Sequence, residues 1–97
     1  MPKLHPTALG SLLFECPCGD LHVIYPAGCA AQHPARWQWN GSLEAPTFSP
    51  SLRVAYALPG GTEHVCHSFI TDGRIQFCAD STHPLAGQTV DIPEWEG

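Results

Sequence analysis

His64-Val65-Cys66-His67-Ser68-Phe69-Ile70-Thr71-Asp72-Gly73-Arg74-Ile75-Gln76-Phe77-Cys78-Ala79 is the stretch from which the fold can be read. Asp72-Gly73 favours a two-residue type I′ turn, whose central positions both need a left-handed backbone. A turn there makes His64 to Thr71 and Arg74 to Ala79 the arms of a β-hairpin. The register follows from the turn. Ile70 faces Ile75, Ser68 faces Phe77 and Cys66 faces Ala79 on one side of the ribbon, while Phe69 faces Gln76 and His67 faces Cys78 on the other. The first side is the more apolar, so Cys66 is expected to point inward and His67 outward.

Working outward from the hairpin, Ser11 to Glu15, Leu21 to Tyr25, Arg36 to Trp39, Leu52 to Leu58 and Gln88 to Ile92 read as further strands. Pro26 to Ala35 reads as loop with a short helical turn at Ala27 to Gln32. Pro46 and Pro50 bracket an extended piece that cannot be a central strand. The 97 residues include nine glycines and ten prolines, which favours short strands and turns over helices. No run has convincing helical spacing. The expected class is all-β: a small sandwich or open barrel of short strands with a C-terminal β-hairpin. One domain over residues 1–97 is expected, with irregular ends at 1–10 and 93–97.

Charge narrows the partners. The net charge is −5, and the reliable cations are Lys3, Arg36, Arg53 and Arg74. No basic stripe exists to displace counterions, which argues against nucleic acid. No stretch of eighteen apolar residues is present, which argues against a membrane span. The first residues lack the basic start and apolar run of a secretory signal, and the five cysteines are an odd number. Both features predict reduced thiols in a cytoplasm.

Cys16-Pro17-Cys18-Gly19, with His22 close behind, carries the chemistry most open to reading. Two thiols one residue apart strain a mutual disulfide but can aim at one cation. A structural Zn2+ site needs four ligands, usually two pairs from separate turns. Cys16 and Cys18 form the first pair; Cys66 with His83 is the favoured second, with His22 a further candidate. His67 and Cys78 form a rival pair across the hairpin. Cys29 has no partner in sequence. Arg36-Trp37-Gln38-Trp39 sets two indoles on one strand face, either to fill the core or as a shelf for a partner. Asp80-Ser81-Thr82-His83 brings carboxylate, hydroxyl and imidazole together, but fits neither a nucleophile elbow nor a His-Glu-x-x-His helix. A zinc closed by four protein ligands predicts structure rather than catalysis. The alternative is a small zinc-dependent hydrolase with Asp80 or Glu63 as base.

Cys16-Pro17-Cys18-Gly19, Trp39-Asn40-Gly41-Ser42, Pro46-Thr47-Phe48-Ser49-Pro50-Ser51, Cys66-His67-Ser68-Phe69-Ile70, Asp72-Gly73-Arg74-Ile75-Gln76-Phe77 and Thr82-His83-Pro84-Leu85-Ala86-Gly87-Gln88-Thr89-Val90 form a specific set. Together they make the chain resemble a family of small proteins of unknown function encoded mainly by tailed bacteriophages and prophages. Relatives often have Cys-Pro-x-Cys-Gly at the first motif, and Cys where this chain has Ser81. The resemblance implies a phage product acting in the bacterial host cytoplasm or carried in the virion. The expected function is therefore a non-catalytic accessory protein, of the anti-defence kind, that docks on a host or phage protein through Arg36, Trp37 and Trp39. A minor virion decoration component is the alternative, and self-association into an oligomer stays open.

Overall fold

Alternation of apolar and polar residues builds two antiparallel sheets. The computed structural model describes residues 1–96, so the last residue of the expected irregular tail, Gly97, lies outside the described residues. β1 (His5–Pro6), β2 (Leu12–Glu15) and β3 (Leu21–Ile24) form one sheet in that order. β4 (Gln38–Trp39), β5 (Phe48–Ala57), β6 (Glu63–Thr71), β7 (Arg74–Phe77) and β8 (Thr89–Asp91) form the other, again in chain order. No helix forms among the described residues. The helical turn expected at 27–32 is absent; Gly28, at φ 85°, takes the chain out of helical space.

Every second residue points into the space between the sheets. Leu12, Phe14 and Ile24 come from the first sheet; Leu52, Cys66, Ile70, Ile75 and Phe77 come from the second, all buried in one core. Each fully buried aliphatic or aromatic side chain contributes about 1.5–3 kcal/mol. The lead-in, expected to be irregular, is tied down instead. Leu4 is buried, β1 pairs with β2, and the Lys3 ammonium donates to the Ile92 carbonyl at 2.6 Å. The residues before β1 are thereby fastened to the residue that follows β8.

The β6–β7 hairpin has the register read from its sequence: Ile70 opposite Ile75, Phe69 opposite Gln76 and Ser68 opposite Phe77. Asp72 and Gly73 both have positive φ, 51° and 79°, as the turn requires. β5 departs from expectation. It begins at Phe48 and runs through Pro50, because its register against β6 shifts between Phe48 and Leu52. Such an irregularity frees Pro50 from the ladder, where its missing N–H would otherwise be a defect. β4 pairs only with Phe48 and Ser49. Beyond Ser49 the outer edge of β5 has no strand partner among the described residues.

Candidate active site and metal centre

Consecutive residues of β6 serve opposite faces of the larger sheet. Cys66 is fully buried and faces the core, whereas His67 lies on the outer face, partly open to solvent.

On the inner face, one ligand atom each from Cys16, Cys18, His22 and Cys66 lies within 4.8 Å of the others. The Cys16–Gly19 turn delivers the first two, closed by the Gly19 N–H donating to the Cys16 carbonyl at 2.9 Å. His22, inward on β3, and Cys66, inward on β6, complete the group. Cys16 Sγ is 3.9 Å from Cys66 Sγ, and Cys18 Sγ is 3.6 Å from His22 Nε2. A tetrahedron with metal–sulfur bonds of about 2.3 Å has edges of about 3.8 Å, so the spacing fits one ion. The Cys66 thiol is drawn down to about 4, chiefly by its hydrogen bond with Cys16, against the opposing effect of burial. The bond to Cys66, reinforced by burial, pushes the Cys16 thiol up. Four protein donors leave no open position of the kind a catalytic zinc needs.

His83, expected as a ligand, is not in this group. Its Nδ1 accepts the Leu85 N–H at 3.2 Å, so its proton resides on Nε2, which can donate but not coordinate. Its Nε2 is buried and has no hydrogen-bond partner among the described residues. Cys29 and Cys78 also stand apart from the four. Trp37 and Trp39 are half-buried against the core, their indole N–H groups donating to the Ser51 and Ser42 carbonyls at 3.3 and 3.0 Å. Arg36 spends its guanidinium on the carbonyls of Ala31, His33 and Ala35. The polar groups of all three are engaged within the chain.

The outer face holds a second constellation that sequence reasoning missed. His67 Nε2 is 3.1 Å from Ser51 Oγ, and His67 Nδ1 is 3.0 and 3.1 Å from the two carboxylate oxygens of Asp80. Hydroxyl, imidazole and carboxylate thus form a line, with Asp80 accepting the Nδ1–H and Ser51 donating to Nε2. Arg53 is opposite His67 in the β5–β6 ladder, and Ser51, two residues earlier, shares that outer face. The chain after β7 is laced to β6 by its own hydroxyls. Ser81 Oγ accepts the His67 N–H and donates to the His67 carbonyl, both at 3.1 Å, and Thr82 Oγ1 accepts the Val65 N–H at 2.9 Å. Those bonds hold Asp80 beside His67. The ring of His67, with Cys78 and Asp80, is also close enough to hold an ion. Both its nitrogens, however, already face Asp80 and Ser51.

No helix of the described residues is long and apolar enough to cross a membrane. No curated protein and no solved structure matches the chain. Residues 3–78 do match the model of a protein family, and the match takes in Ser51 and His67. The family's description as a bacterial ubiquitination-like system serine protease overturns the expectation of a non-catalytic phage accessory protein. No single short motif carries the hydroxyl, imidazole and carboxylate, because the three groups come from β5, β6 and the loop after β7. With well over half of its length matched, the chain belongs to the family of bacterial ubiquitination-like system serine proteases, BubE.

Proposed function

We propose that this protein is a serine protease of a bacterial ubiquitination-like system, with Ser51 as nucleophile, His67 as general base and Asp80 as the group that orients His67. The observation that carries the reading is the Ser51–His67–Asp80 hydrogen-bonded line, with the imidazole correctly bonded at each nitrogen. Ser51 Oγ attacks the scissile carbonyl as its proton passes to His67 Nε2. The imidazolium, held by Asp80, then gives that proton to the leaving amine as the C–N bond breaks. Water, deprotonated by the same imidazole, attacks the acyl carbonyl, and the imidazolium returns that proton to Ser51 Oγ as the acyl–oxygen bond breaks. The chain order Ser…His…Asp differs from the orders on better-known scaffolds, which is no obstacle, because the arrangement is defined by geometry.

The Cys16–Cys18–His22–Cys66 group suits a structural ion. Three sulfurs and one imidazole favour zinc over the hard cations. When bound, the ion would tie the Cys16–Gly19 turn and β3 to β6. The residues facing it neither touch substrate nor carry a proton in the reaction.

An activity-based fluorophosphonate probe tests the nucleophile. Wild-type protein should be labelled at Ser51, found by peptide mass spectrometry, and Ser51→Ala should abolish both labelling and peptide cleavage. Labelling at another serine, with full activity in Ser51→Ala, would refute the assignment.

A further inference from the structure

Arg53 stands apart from the chain's other cations. Lys3 donates to the Ile92 carbonyl, Arg36 is bound by loop carbonyls, and Arg74 is 3.5 Å from the Asp91 carboxylate. Arg53 has no hydrogen bond or ion pair among the described residues, and it is exposed. It also lies directly across the β5–β6 ladder from His67, on the face that carries Ser51. Paired residues in an antiparallel ladder have Cα atoms about 4.5–5.5 Å apart. The Arg53 backbone is therefore one cross-strand position from His67, with a guanidinium that no group of the described residues engages.

The open edge of β5 says how a substrate would meet it. β4 stops pairing at Ser49 and the Trp37 indole caps the Ser51 carbonyl, so from Leu52 onward an extended peptide can add to β5 as a further strand. Side chains on such a strand alternate with a period of two. The substrate residue whose carbonyl meets Ser51 and the residue two positions away then face outward together, the second lying beside Arg53. We propose, resting on the Ser51 nucleophile, that Arg53 is a specificity-determining residue that binds a substrate carboxylate two residues from the reacting carbonyl. Arginine suits this role because its planar fork can hold a carboxylate through two parallel bonds. The protein's net charge of −5 repels a polyacidic chain, so the fit is to a single carboxylate. That carboxylate is an Asp or Glu side chain, or the terminal carboxylate of a short leaving segment.

Internally quenched peptides in which Asp replaces Asn at each position in turn, with free or amidated C-termini, test the proposal. Wild-type protein should cut one acidic series better by roughly ten- to a hundredfold, two residues from the cleaved bond. A preference surviving amidation identifies a side chain; one lost on amidation identifies a chain terminus. Arg53→Gln should collapse the Asp-over-Asn ratio towards one, the change falling on KM more than on kcat, and Arg53→Lys should restore part of it. A flat ratio in wild-type protein, or an Arg53→Gln loss of kcat shared equally by every peptide, overturns the proposal. Fluorophosphonate labelling separates the two readings. A flat ratio with Ser51 labelled sinks the carboxylate site alone, whereas an unlabelled Ser51 sinks the triad and this site with it.

Discussion

At the scale of single residues, the proposed triad combines a firmly held imidazole with an exposed carboxylate. His67 is fixed through its backbone by Ser81, which is buried, while the Asp80 side chain is 58 % exposed. Water screens an exposed carboxylate. We therefore expect unequal losses in peptide-cleavage assays: at least about a thousandfold for His67→Ala, and roughly ten- to a hundredfold for Asp80→Asn. Ser81→Ala removes both bonds to the His67 backbone and should cost about 1–3 kcal/mol in urea unfolding. The opposite facing of Cys66 and His67 was legible, because it follows from the period of a strand. Ser51 was not. Pro50 argued against a strand at that point, and the register shift that admits Pro50 is a tertiary event. Asp80 reads locally with Ser81, Thr82 and His83, yet its carboxylate meets His67, thirteen residues earlier and reached only through the hairpin.

Elements carry the next level of constraint, and the turn at Asp72-Gly73 shows it best. Gly73 is buried at φ 79°, and an added Cβ would lie 3.3 Å from both Ala45 Cα and the Glu44 carbonyl. Neither neighbour is the end of a flexible side chain. Gly73→Ala should thus lose about 1–3 kcal/mol of stability, measurable by thermal or urea denaturation. The hairpin was readable in register as well as in place because turn type and alternation agree. The N-terminal strand β1 was not, since two residues carry no period. It exists because Leu4 is buried and Lys3 reaches the Ile92 carbonyl.

For the whole molecule, the issue is what keeps the two sheets together. Cys16 and Cys18 follow β2, His22 belongs to β3 and Cys66 belongs to β6, so one ion would bridge the sheets. Structural zinc in small domains contributes on the order of 10 kcal/mol. Cys16→Ser or Cys66→Ser should release the metal and lower Tm sharply, whereas Cys29→Ser should do neither; elemental analysis and calorimetry check both. The cysteine pair was legible because thiols one residue apart have few other uses. The imidazole that joins them was harder to choose. His22 wins over His83 through strand alternation and the Leu85 N–H, which occupies the His83 nitrogen that would need the proton.

Neighbouring positions 66 and 67 of β6 serve opposite faces, one joining the four candidate metal donors and the other the Ser51–His67–Asp80 line. Loss of an ion from the inner face would thus reach the outer hydroxyl–imidazole–carboxylate line through the β6 backbone alone.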